Sequence, residues 1–153
     1  MAMTQRCLVL WLFAGILALG QSKDPLVGTW IVDRGKSDFD PPSNFFQRTM
    51  IVELRENALS VVTITINDRR QTSRTGFTAK YDGKDAAIEN SVLDTVALKR
   101  IDAQTVERIG KLRGQVVEKA TWKVSPDGKI LTIAATGSAE GQEYTSTQHF
   151  DRQ

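Results

Sequence analysis

The sequence predicts an all-β domain, an antiparallel up-and-down meander barrel of about ten strands. Three observations predict it. From Leu26 onward apolar residues recur at every second position in short segments, and nowhere do they keep the 3.6-residue spacing of a helix over ten positions. Turn residues separate the segments at short intervals, as at Asn67-Asp68, Asp82-Gly83, Asp102-Ala103, Arg113-Gly114 and Ser125-Pro126-Asp127-Gly128. A meander of that length has two edges to hide and no long helix to cover them, and closure into a barrel removes both. An eight-stranded barrel or a two-sheet sandwich would share the same signals.

In chain order the predicted strands are Leu26–Asp33, Gln47–Leu54, Leu59–Ile66, Gln71–Tyr81, Ala86–Glu89, Thr95–Ile101, Thr105–Lys111, Val116–Val124, Ile130–Gly137 and Glu143–Asp151. Between the first two lies an irregular stretch, Arg34 to Phe45, with Pro41-Pro42 at its middle and room for at most one short helical turn. Alternation then assigns faces. Leu26, Gly28, Trp30 and Val32 share one face of the first strand, Met50, Val52 and Leu54 one face of the second, and Val62, Ile64 and Ile66 one face of the third. Later strands are less apolar: Val96, Leu98 and Arg100; Val106, Arg108 and Gly110; Glu118, Ala120, Trp122 and Val124; Tyr144, Ser146, Gln148 and Phe150. If these faces point inward, half of the interior is apolar and half carries charged and amide groups, which must form a network or meet water or a ligand.

Before the strands comes a segment with the marks of an export signal. Arg6 is the only charge in the first twenty residues, the run Cys7 to Leu19 is apolar but too short to span a bilayer, and Ala18 and Gly20 suit signal peptidase ahead of the polar Gln21-Ser22-Lys23-Asp24. Residues 1–20 are therefore expected to be removed after Gly20, leaving residues 21–153 as one barrel domain, exported to a periplasm or secreted, with no membrane span. The totals shift accordingly. The whole chain carries a formal charge of +2, and loss of Arg6 brings it to about +1, which removes the electrostatic case for nucleic acid. Cys7 is the only cysteine and leaves with the signal, so disulfides, thiol catalysis and cysteine-bound metal are excluded from the domain.

Gly28-Thr29-Trp30 near the predicted mature start, a meander of about 125 residues after it, and Arg152 just beyond Phe150 resemble the calycin superfamily, which includes lipocalins and fatty-acid-binding proteins. The blocks Lys36-Ser37-Asp38-Phe39, Tyr81-Asp82-Gly83-Lys84-Asp85, Ser125-Pro126-Asp127-Gly128-Lys129 and Phe150-Asp151-Arg152 are similar to those of small exported bacterial lipocalin-like proteins. The resemblance implies a closed barrel, a terminal basic residue packed over the tryptophan, and ligand binding in a broad sense that fixes no ligand. It does not extend to the carboxylate site of fatty-acid-binding proteins, because Gln148-His149-Phe150 stands where an Arg-x-Tyr would bind the acid. Nor is there room for their helix pair after the first strand.

Catalytic constellations are missing from the sequence. His149 is the only histidine, on the face opposite Phe150, and offers poor material for a metal site. Asp33, Asp38 and Asp40 flank a loop, Glu107 and Glu118 fit cross-strand surface pairs with Arg108 and Lys119, and no nucleophile elbow, phosphate loop or dinucleotide fingerprint occurs. The reading is an exported, non-enzymatic binder of a small, partly apolar molecule, needing no cofactor or metal. Trp30, Met50, Phe77, Trp122 and Tyr144 would line the cavity, and Arg100, Arg108 and Gln148 would orient a polar end. Phe45-Phe46 would lid the mouth or plug one end. The alternative is a packed barrel that acts through its loops on a protein partner in the cell envelope, as an inhibitor or interaction module.

Overall fold

Two-residue periodicity interrupted by tight turns leaves the chain little choice but to run up and down, and each strand of the structure pairs with the next. The computed structural model describes residues 24–153; the predicted signal lies outside them. Ten strands follow: β1 Gly28–Asp40, β2 Phe45–Arg55, β3 Ala58–Asn67, β4 Thr72–Ala79, β5 Ala86–Glu89, β6 Thr95–Arg100, β7 Thr105–Leu112, β8 Gln115–Val124, β9 Ile130–Ala139 and β10 Gln142–Arg152. All pairings are antiparallel, and β1 closes on β10 to complete the barrel. Among the described residues there is no helix. The Arg113-Gly114 hairpin places both residues at positive φ (51° and 77°), the backbone that a two-residue turn between twisted strands requires.

Closure leaves one end shut. There Leu26, Trp30, Leu59, Leu98, Val106, Val124 and Leu131 are fully buried. Trp30 donates its indole N–H to the Leu26 carbonyl at 2.9 Å. Arg152 lies over the Trp30 ring at 4.0 Å and donates to the carbonyls of Pro25, Val27 and Gly128 at 2.5–2.6 Å. Gly28 makes this possible, since a Cβ there would collide with the guanidinium. The terminal arginine thus packs over the tryptophan as the family resemblance implied.

Four expectations need correction. The stretch Arg34 to Phe45 is largely strand: β1 runs on to Asp40 through a bulge between Asp33 and Asp38, and β2 starts at Phe45. The bulge is held locally, with the Gly35 and Lys36 N–H groups donating to Asp33 Oδ1 and the Ser37 hydroxyl to the Asp33 carbonyl. Polar residues that read as loop here satisfy their own backbone within a sheet. On β3 the inward face is Leu59, Val61, Thr63 and Thr65, and Val62, Ile64 and Ile66 sit half-buried on the outer wall. Leu54, assigned inward, is 50% exposed at the β2–β3 hairpin, where the strand has run past the core. The Phe45-Phe46 pair divides: Phe45 is buried edge-on to Phe39 at 5.4 Å, and Phe46 is exposed beneath Arg70.

Candidate functional site

Toward the other end the inward positions become polar and the packing opens into a cavity of about 830 Å³. Its apolar wall comes from successive strands: Met50 on β2, Val61 on β3, Phe77 on β4, Ile88 on β5, Trp122 on β8, Ile133 on β9 and Phe150 on β10. Phe77 and Trp122 meet across it with ring centroids 6.4 Å apart. Thr63, Thr65 and Thr75 add hydroxyls, and the mouth lies among the β1–β2, β5–β6, β7–β8 and β9–β10 loops, at Ser43, Val92, Leu112 and Glu140. A smaller chamber of about 490 Å³ under Pro41-Pro42 shares Arg48, Arg108, Tyr144 and Gln148 with it.

Two polar groupings sit on the wall. In the first, Arg108 donates to one oxygen of Glu118 and the Tyr144 hydroxyl donates to the other at 2.5 Å. Tyr144, Gly137 and Glu118 are in register on β10, β9 and β8, so the phenol crosses over the glycine, where a Cβ would stand 2.6 Å from its oxygen. Both ions are nearly enclosed, at 14% and 12% exposure. Burial pushes the Arg108 guanidinium down to about 10, with Tyr144 opposing the shift, and leaves it charged at physiological pH. Burial raises the Tyr144 hydroxyl, with Arg108 pulling the other way. Arg108 Nε and Trp122 Nε1 have no hydrogen-bond partner among the described residues.

The second grouping centres on Arg48. It donates to Gln148 Oε1 at 2.5 Å and to Thr65 Oγ1 at 3.3 Å, and its guanidinium lies 4.3 Å from the Phe45 ring centre. Burial holds it below the ordinary arginine value. Every one of these partners is neutral.

Of the residues expected to form the site, Met50, Phe77, Arg108, Trp122, Tyr144 and Gln148 line the cavity. Trp30 and Arg100 do not. Trp30 is wholly buried under Arg152, and Arg100 stacks 4.0 Å over Tyr81 and pairs with Asp24 at the closed end. Alternation assigns both to the correct face, but it carries no information on height along the barrel. Glu118, also read as a surface partner, points inward; on β7 its opposite is Gly110, and it reaches Arg108 diagonally. Arg48 was missed, although it stands two residues before Met50 on the same face. Thr63 and Thr65 were missed because their neighbours on β3 are more apolar, and Thr75, between Arg74 and Gly76, because β4 shows no apolar alternation around it. His149 stays off the cavity, with Nδ1 3.2 Å from Thr132 Oγ1.

The fold is similar to that of a zebrafish ileal bile acid-binding protein crystallised with cholic acid, at a TM-score of 0.53 and 9% identity over 84% of this chain and 99% of that one. The siderocalin Ex-FABP aligns at a TM-score of 0.42 and 14% identity, over 84% of this chain and 74% of that one. No family model and no curated protein matches the chain. The ten-stranded closed antiparallel barrel is the architecture that the alternation and turns predict, and Arg152 lies over the Trp30 ring beside Gly28.

Proposed function

We propose that this protein is a carrier that binds a small, partly apolar molecule inside the barrel and does no chemistry on it. The observation that carries the reading is the open interior: about 830 Å³, within the range of small-molecule sites, with an aromatic and aliphatic wall and a few polar groups near the mouth. Glu118, the carboxylate inside, has both oxygens occupied by Arg108 and Tyr144 and is poorly placed to move a proton. The zebrafish barrel of the same fold was crystallised with an amphipathic molecule, which is consistent with this use of the interior. Open space of this size favours a carrier over a packed barrel acting through its loops. We further propose export, on the signal-like residues 1–20; sequencing the amino terminus of the mature protein checks it.

The test is titration with phenylnaphthylamine, a neutral apolar fluorophore. We expect saturable binding with energy transfer from Trp122, and Trp122→Ala should weaken affinity about tenfold by removing one wall of the cavity. Absence of saturable binding by the folded wild-type protein would end the carrier reading.

A further inference from the structure

Among the described residues the cavity wall holds two cations, Arg48 and Arg108, and one enclosed anion, Glu118, with a second carboxylate, Glu140, exposed to solvent at the mouth, and the charges are not shared evenly. Arg108 is neutralised by Glu118, whose second oxygen is taken by Tyr144. Arg48 has no carboxylate within ion-pair distance among the described residues. Its two hydrogen bonds go to an amide and a hydroxyl and its face to a phenyl ring, so several of its five N–H donors are unassigned. Enclosing a cation among neutral partners is costly, and an anion brought to it recovers much of that cost. Arg48 borders both the main cavity and the chamber beneath Pro41-Pro42, so an incoming anion would sit near the mouth and not on the floor.

From this we infer that the ligand is a singly charged acidic amphipath whose head group is held by Arg48 and Gln148 near the mouth, with its apolar body directed down toward Phe77 and Trp122. The inference rests on the carrier reading and sharpens it. One uncompensated cation matches one negative charge, so a dianion would bring a second charge into the cavity with no partner. The site differs from a carboxylate site built on the last strand, where only the neutral Gln148 contributes here. Arg108 takes no part in head-group binding, because its charge is already met inside the wall.

Two fluorophores that differ by one sulfonate separate the possibilities: anilinonaphthalene sulfonate and the neutral phenylnaphthylamine. The wild-type protein should bind the sulfonate at least about tenfold more tightly, with a preference that falls as salt is raised. Arg48→Met should reduce that preference about tenfold, and Arg48→Lys should retain part of it. Dodecanoate should displace either probe at lower concentration than dodecanol. Equal binding of the two probes by the wild-type protein, which needs no variant to fold, would overturn the head-group assignment and leave the carrier reading standing. Equal weakening of both probes by Arg48→Met would overturn it as well. Failure of both probes to bind would overturn the carrier reading and this inference together.

Discussion

At the closed end Arg152 lies over Trp30 and gives its protons to three backbone carbonyls, and Arg100 meets the carboxylate of Asp24 above the ring of Tyr81. At the open end Arg48 lies over Phe45 in a similar stacked posture, but among the described residues its hydrogen bonds go only to the neutral Gln148 and Thr65. The two ends therefore use arginine differently. One set completes the fold: its charge is spent on groups whose own hydrogen bonds would otherwise be unmet. The other leaves part of its capacity free inside a cavity. A buried polar group that is paired has its desolvation offset within the fold, and one with donors to spare keeps capacity for a further partner.

The largest test of this contrast compares the tryptophans. Trp30 is fully buried at the closed end, so Trp30→Ala should cost about 3–5 kcal/mol in urea unfolding, whereas Trp122→Ala, bordering open space, should cost about 2 kcal/mol. Equal costs would mean that the cavity wall is as tightly packed as the floor. Next come the arginines. Arg152→Met leaves three carbonyls without their donor and should cost about 2–3 kcal/mol, and Arg48→Met should stay within about 1 kcal/mol of the wild type. A loss in Arg48→Met as large as in Arg152→Met would make Arg48 a structural residue.

The smallest effect concerns Tyr81, whose hydroxyl donates to Asp24 at 2.7 Å and is raised well above the ordinary tyrosine value, first by burial and then by Asp24. A raised folded-state value means that its contribution is complete below about pH 10 and is lost as pH climbs beyond it, because the unfolded chain gives up the proton first. Tyr81→Phe should cost about 1 kcal/mol at neutral pH and flatten the decline in stability above pH 10. Unfolding curves at several alkaline pH values measure both.

Most of the architecture was legible in the chain. Short alternating segments and turns such as Arg113-Gly114 are local features, and they place ten strands whose order follows from their connections. The site was less legible, and β3 shows why. Ile64 and Ile66 are more apolar than Thr63 and Thr65, so a rule that sends the apolar face inward selects the outer wall. The rule assumes a dry core. Where the interior is a cavity lined with hydroxyls, the contrast between faces inverts.

The all-β meander, its turns, the Gly28, Trp30 and Arg152 closure and six of the residues that line the cavity could be read from the chain alone. The folded barrel was needed to show which face of β3 turns inward, that Trp30 and Arg100 sit below the cavity, and that Glu118 belongs to Arg108 and leaves Arg48 without a carboxylate among the described residues. The reason is geometric. A period of two tells which residues lie together on a strand but not which side is the inside, and neither height along the barrel nor the partner of a charge exists until neighbouring strands are in register.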